Sequence, residues 1–401
     1  MKRRWAAAIL LLALVGAALA GCGSRPLIRS VDVRPDTISP NADGVDDVAE
    51  IKYTLSDQAI VSIYLTDAQG NQHVFRDQRR RSKGEHTAYF GGVIGDRLLP
   101  DGVYTIMLEA EGWDGHTERQ ERNITLTDGD QVPMEIQGLS VSPATFTPNR
   151  DGIADRVTIS YNLSKEAARV EVYVLGADGT KYPVAEDAIR EAGSAGAHEH
   201  DYDAGIDLGA TPPPDGAYTV VVEAEDYVGN KDRAEGQLTI EGGGVPRVEI
   251  VNAAAVFSPL IVQLGETLTF TCTVRNIGTV PVRTKGPEPG TEYTSLDNFN
   301  TLGEYEEPGI FRVGLDYEGN SAGRTYPFRW QLGHDDELTV LDTPIGPQTY
   351  LMPGQTVTVV GHLRITEKTV TVEPYFWIGL IHESVWIVQD RIEATPISIG
   401  F

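Results

Sequence analysis

The chain has 401 residues, 41% of them hydrophobic, with 33 Lys and Arg against 58 Asp and Glu and a formal net charge of −25. That length makes two to four domains with packed cores. The excess of acid excludes nucleic acid as a partner, because phosphate binding rewards clustered Lys and Arg.

The chain opens on Met1-Lys2-Arg3-Arg4, an apolar run from Trp5 to Ala20, and then Leu19-Ala20-Gly21-Cys22. A basic start, a short apolar core and small residues before a cut site describe a secretory signal over 1–21. The run is too short and too Ala-rich for a permanent span, which takes ~20 apolar residues. Leu-Ala-Gly-Cys resembles the bacterial lipobox. The resemblance implies that the Cys22 thiol receives a diacylglycerol and leads the mature chain; the plainer alternative is an ordinary signal peptide with an incidental Cys. Acyl chains at Cys22 imply stable anchoring to the cell membrane or outer membrane, with the chain on the extracytoplasmic side. Removing Lys2, Arg3 and Arg4 leaves 30 basic against 58 acidic residues, a net charge of −28. Residues 22–26 are then a short tether. With Cys22 committed to lipid, Cys272 has no disulfide partner. It sits in the alternating run Leu268 to Val274 and reads as a buried strand thiol.

Past the tether, helical periodicity is almost absent. Short alternating runs rich in Val, Ile, Thr and Tyr, such as Glu50 to Leu55 and Ala217 to Glu223, are broken by Asp-Gly, Gly-Asn and Pro-Gly turns. This is the pattern of β-sandwiches. The predicted fold is all-β: three tandem Ig-like β-sandwich domains after a lipoprotein signal peptide. Two of them are copies. Ser39-Pro40-Asn41-Ala42-Asp43-Gly44-Val45-Asp46-Asp47 returns as Thr147-Pro148-Asn149-Arg150-Asp151-Gly152-Ile153-Ala154-Asp155, and Pro100-Asp101-Gly102-Val103-Tyr104 returns as Pro214-Asp215-Gly216-Ala217-Tyr218. The first copy spans 27–130 and the second 131–241, each about the size of one sandwich. A Gly-rich linker over 242–245 reads as a flexible joint before a third domain, 246–401.

The repeated motifs resemble the Ig-like domain of flagellar hook-capping proteins, a module appended to many secreted bacterial proteins. The resemblance covers about half the chain and implies a spacer or adhesion role. The Asn-x-Asp-Gly loops also carry the alternate-position oxygens of a calcium loop. In the first copy these are Ser39, Asn41, Asp43, the Val45 carbonyl, Asp47 and Glu50. In the second they are Thr147, Asn149, Asp151, the Ile153 carbonyl and Asp155, with Thr158 where the last acid belongs. The expected affinity is weak, roughly 10⁻⁴–10⁻³ M. The reading without metal is a turn in which Asn and Asp bond their own backbone and Gly takes positive φ.

The third domain contains Val274-Arg275-Asn276-Ile277-Gly278 and a hairpin from Tyr375 to Val388. It is similar to the four-tryptophan Ig-like domain of autophagy cargo receptors and bacterial surface proteins, although only Trp330, Trp377 and Trp386 are present. That resemblance implies protein binding without catalysis. Trp330, Tyr375, Trp377 and Trp386 are candidates for gripping a protein or a glycan, and core packing is the competing reading. Tyr375 and Trp377 point one way while Phe376, Ile378 and Leu380 point the other. The Pro- and Gly-rich stretch from Gly286 to Gly309 reads as a long loop over the sandwich. His198-Glu199-His200 suits zinc or a solvated strand, and Arg79-Arg80-Arg81-Ser82-Lys83 suits a lipid headgroup or an exposed hairpin. No Gly-x-Ser-x-Gly, His-Glu-x-x-His or phosphate-binding Gly loop occurs, so no enzyme is expected, and the remote alternative is an accessory subunit of an envelope enzyme.

Overall fold

Alternation decides the strand faces. In Ala49–Leu55 the residues Ala49, Ile51, Tyr53 and Leu55 are buried while Lys52 is exposed, and Val157–Leu163 repeats the pattern. The computed structural model describes residues 25–185, 191–321, 323–369 and 371–400. The signal segment and Cys22 lie outside the described residues. Among these, the regular structure is strand apart from one short 3₁₀ turn, Ile206–Leu208.

Each copy is a sandwich of a three-stranded and a five-stranded sheet with the same strand order. In the first, Ile28–Arg34, Ala49–Leu55 and Gly84–Phe90 face a sheet of Thr37–Ile38, Thr117–Leu126, Gly102–Gly112, Ala59–Thr66 and Gln72–Arg81. The opening strand passes from one sheet to the other: Ile28–Arg34 pairs antiparallel with Ala49–Leu55, then Thr37–Ile38 pairs parallel with the end of Thr117–Leu126. Residues 27–126 supply one core and residues 134–240 another. Each buried Val, Leu or Ile contributes ~1.5–3 kcal/mol to these cores.

The third domain shares no sequence motif with the copies, yet its opening strand makes the same switch. Val248–Ser258 pairs antiparallel with Thr267–Asn276, then Ile261–Gln263 pairs parallel with Ser398–Gly400. Its second sheet runs Phe328–Gln331, Phe311–Tyr317, Tyr375–His382, Trp386–Pro396. Residues between Val248 and Ile399 form its core, Cys272 among them, and burial pushes that thiol up to about 12. Such a thiol is not a nucleophile at neutral pH.

The stretch from Gly286 to Gly309 is strapped down rather than free. Tyr293 and Phe299 are fully buried, and Glu292–Thr294 pairs with Thr356–Arg364. Beneath the stretch the outer face of Phe311–Tyr317 carries the buried Arg312. Glu383 Oε1 accepts from Arg312 Nη1 at 3.0 Å and Arg329 Nη1 at 2.9 Å, and Glu383 Oε2 accepts from the Glu307 amide at 2.9 Å. Arg312 also donates to the carbonyls of Lys285 and Tyr305. A carboxylate with no solvent access is therefore shared by two guanidiniums that hold the loop.

The 242–245 linker is not a free joint either. The amides of Gly242 and Gly243 donate to Asp215 at 2.8 and 3.0 Å, and the Gly244 amide donates to the Pro148 carbonyl at 2.9 Å. Glycine composition suggests flexibility, but acceptors from the second sandwich use those amides.

Candidate functional site: a distal cleft and the junction loops

Tyr375 and Trp377 lie on the outer face of Tyr375–His382, with Phe376, Ile378 and Leu380 in the core as the alternation requires. Opposite them, Asp316 Oδ1 accepts from the Tyr317 amide and Asn320 Nδ2, and Oδ2 accepts from the Tyr326 amide. These bonds fix the turn at Glu318 and Gly319, and the Glu318 amide donates to the Tyr375 carbonyl at 2.8 Å. The result is an open cleft of about 640 Å³ lined by Asp316, Glu318, Arg324, Tyr375, Trp377 and Arg391. Irregular pairing of Trp386–Pro396 against its neighbour, with Arg391 and Glu393 at φ 50° and 51°, aims Arg391 inward. Its guanidinium lies 4.9 Å from the Trp377 ring centre. Bulges commonly re-aim a side chain in this way beside a binding site.

Tyr326 joins the elements that carry the cleft residues, bonding Asp316 and the Arg391 amide. Its ring fills the space above Gly314 and Gly379 on neighbouring strands, where any Cβ would collide with it. Its hydroxyl donates to Asp390 and accepts from the Arg391 amide. The chemistry on offer is an aromatic platform, two guanidiniums and two carboxylates, which suits a polar ligand with a flat or ring-shaped face.

The four predicted binding aromatics do not form one patch. Trp330 is 0% exposed and packs edge-on against Phe270 and Tyr293, with its Nε1–H donating to the Thr291 carbonyl. It is a core residue, because its strand turns it toward the opposing sheet. Trp386 is 63% exposed but pairs with His382, seven residues from Tyr375 and so roughly 23 Å along the strand. Only Tyr375 and Trp377 share the cleft. Sequence reasoning misses Arg391, Arg324 and Asp316; the sole sequence signal for them is proximity to turns.

The Asn-x-Asp-Gly loops close on themselves. In the first copy Asp47 accepts from the amides of Asn41, Ala42 and Gly44 at 3.1, 2.8 and 2.8 Å. Asn41 Oδ1 accepts from the Asp43 amide, Asp43 Oδ1 accepts from the Val45 amide, and Ser39 Oγ donates to the Val45 carbonyl. Glu50 is turned to the sheet face and pairs with Lys52 at 3.1 Å. In the second copy Asp155 accepts from Asn149, Arg150 and Gly152, Asn149 from Asp151, Asp151 from Ile153, and Thr147 donates to the Ile153 carbonyl. In this arrangement the side-chain oxygens of Asn41, Asp43 and Asp47, and of Asn149, Asp151 and Asp155, accept from amides of their own loop, and the Val45 and Ile153 carbonyls accept from its hydroxyls; calcium coordination at these positions stays an expectation from spacing. Among the described residues no group of three or more His, Cys, Asp or Glu gathers as a cation needs. His198 and His200 stack on Tyr161 instead.

What differs between the copies is what covers the loop. Val45 is 62% exposed, whereas Ile153 is 4% exposed because the third domain sits on it. Arg283 Nη1 donates to the Asp151 carbonyl at 2.7 Å, the Tyr350 hydroxyl donates to Asp151 Oδ2 at 2.7 Å, and His382 Nε2 bonds the Arg150 carbonyl at 2.9 Å. The other junction uses the Asp-x-x-Gly-Asn turn. Asp226 accepts from Lys165 Nζ at 2.7 Å, Asn230 Oδ1 accepts from the Leu98 amide at 2.6 Å, and the Lys231 amide donates to the Asp96 carbonyl at 2.9 Å. The three sandwiches therefore dock end to end. His382 lies at the end nearest the second domain and Tyr375 at the other end of the same strand, which places the cleft at the far tip.

The second junction carries two opposing titrations. Burial, reinforced by neighbouring Asp151, pushes the Asp155 carboxyl up to about 6 from 3.8. Burial pushes Asp151 the same way and holds His382 down to about 4 from 6.5. A raised carboxyl contributes stability that is complete below pH 3.8 and is lost as pH rises through 6. A depressed imidazole contributes stability that is complete above pH 6.5 and is lost as pH falls through 4. His382→Gln keeps a donor for Arg150 and removes the second slope. Relative to the parent, this variant is expected to gain stability as pH falls from 6.5 to 4; thermal melting across that range checks it, and parallel curves contradict it.

No protein-family profile matches the chain, and no curated protein does. Among solved structures, a tetra-tandem repeat from the extending region of a large adhesion protein aligns over 87% of this chain and 81% of its own, at 15% identity and a TM-score of 0.19. A Ca²⁺-stabilised adhesin that helps an Antarctic bacterium bind ice aligns over 86% and 74%, at 14% identity and 0.22. A DUF4785 family protein from Legionella pneumophila aligns over 93% and 91%, at 10% identity and 0.22. None of the three superposes closely on this chain as a whole.

Proposed function

We propose that this chain is a non-enzymatic, lipid-anchored surface protein of the bacterial envelope, in which two docked Ig-like sandwiches carry a third that binds a protein partner at its tip. The observation that carries this reading is the placement of the cleft. The described chain starts at one end of a row of docked domains, and Tyr375, Trp377 and Arg391 lie at the other. A cleft at the tip is presented away from whatever holds the amino terminus. Buried aromatic and Arg anchors are the residue types that dominate protein recognition. The same Tyr375–Trp377 platform favours a second reading, a glycan whose ring stacks on the aromatics.

The deciding experiment is a photo-crosslinker at Tyr375 in cells, with one at Val45 as a control. Protein adducts are expected at the first position alone. Trp377→Ala is expected to weaken binding by ~2 kcal/mol, about thirtyfold. Glycan binding by the purified chain that is sensitive to Trp377→Ala supports the second reading. Adducts and affinities indifferent to Trp377 remove both.

A further inference from the structure

The two copies present the same face at their near ends, and only one of those faces is covered. In the second copy the turn Asp226 to Asn230 and the neighbouring Lys165 dock onto the first domain. Strand pairing aligns that turn with Gly112 to His116 of the first copy: Lys231 pairs with Glu225 as Thr117 pairs with Glu111. Gly112 thus matches Asp226, and Trp113 matches Tyr227. In the first copy no domain precedes this face among the described residues.

The uncovered face has a distinct chemistry. Trp113 is 63% exposed, and Arg80 lies over its ring at 5.7 Å. Arg81 pairs with Ala59, which pairs with Gly112, so Arg79, Arg80 and Arg81 reach the same end as Trp113. Arg79, Arg80 and Lys83 are exposed, as are Arg25 and Arg29. Asp57, Glu85 and Asp114 are interspersed there, and Glu118 accepts from the Leu27 and Ile28 amides. Cations are thus concentrated here in a chain of net charge −25. From Cys22 to Leu27 is five residues, which reach no more than about 18 Å when fully extended.

We infer that this end of the first domain is a membrane-docking surface, with Trp113 entering the interfacial layer and the exposed Arg79, Arg80 and Lys83 pairing with anionic phospholipid headgroups, while Arg81 is held by the Tyr53 hydroxyl. Trp favours the interfacial layer because its ring is apolar and its N–H polar. Arginines within a Debye length of an anionic leaflet are attracted to it, whereas the acidic remainder of the chain is repelled and held outward. The domain is thereby oriented upright as well as tethered. This rests on acylation at Cys22, which supplies the proximity.

The experiment uses the full acylated chain with phosphatidylglycerol–phosphatidylcholine vesicles containing brominated lipid, and pure phosphatidylcholine as the comparison. Trp113 emission, isolated as the difference from Trp113→Phe, is expected to be quenched in the anionic vesicles. Each cation removed in the series Arg79→Ala, Arg80→Ala, Lys83→Ala is expected to lower the docked-to-undocked ratio roughly fivefold. A chain that stays with the vesicles while Trp113 remains unquenched overturns the docking surface and leaves the anchor intact. A chain that does not partition at all overturns the anchor, and the docking surface with it.

Discussion

Glu383→Ala is expected to lower the melting temperature of the C-terminal sandwich by about 10 °C. The Glu383 and Arg312 side chains have no solvent access, and that of Arg329 has almost none. Two guanidiniums share one carboxylate, so its removal leaves two buried positive charges with only the more exposed Glu304 and Glu306 as counter-ions. Breaking a buried pair from one side costs about 3–5 kcal/mol, and in a domain of this size each kcal/mol moves the midpoint by roughly 2–4 °C. The loop, held by Arg312 at the Tyr305 carbonyl and by Arg329 at the Glu306 carboxylate, loosens as well, so proteolysis between Gly286 and Gly309 is expected to accelerate. The control is Glu304→Ala. That carboxylate also meets Arg312, at 3.2 Å, but it is part-exposed and its loss leaves Glu383 in place. Calorimetry resolving the C-terminal transition checks both; equal shifts for the two variants contradict the account.

Gly152→Ala is expected to separate the second and third domains while leaving each folded. A Cβ there would stand 2.1 Å from the Pro308 carbonyl oxygen, well inside van der Waals contact distance, and Gly152 also has φ +81°. Gly309, facing it across the junction at φ +83°, stands as close to the Asp151 backbone. Two backbones pack directly against each other beside the Arg283, Tyr350 and His382 bonds. The matched residue of the first copy is a built-in control. Gly44 has φ +85° but nothing within 4 Å of its Cβ position, so Gly44→Ala carries only the local cost of positive φ, ~1 kcal/mol. Small-angle scattering is expected to show a broadened size distribution for Gly152→Ala alone. A compact profile for that variant contradicts the docked junction.

The repeated motifs illustrate how far a sequence carries. The polar positions of Ser/Thr-Pro-Asn-x-Asp-Gly-x-x-Asp bond first within their own loop, and Asp151 alone of those described adds a distant partner, Tyr350. The Asp47 or Asp155 carboxylate gathers three amides, and Asn41 or Asn149 accepts from the amide two residues on. The Tyr104 and Tyr218 hydroxyls donate to the carbonyls of Pro100 and Pro214, four residues back. Such short-range bonds leave a spacing in the sequence. That spacing is shared by calcium loops, because oxygen at alternate positions serves an amide as readily as a cation. Only the direction of those oxygens distinguishes the two, and direction is not written in spacing. Trp330 and Trp377 pose the same problem: one sits in the core and one in the cleft, though both lie on alternating strands.

From the sequence alone came the all-β class, the two copies and the alternating core positions, because strand periodicity and turn chemistry act over a few residues. Tertiary structure alone decided that Gly242–Gly244 is pinned, that one Asn-x-Asp-Gly loop is buried and its twin exposed, and that Arg391 reaches Trp377. Each of these depends on which distant surface arrives beside a residue, and a chain's local pattern is indifferent to its eventual neighbours.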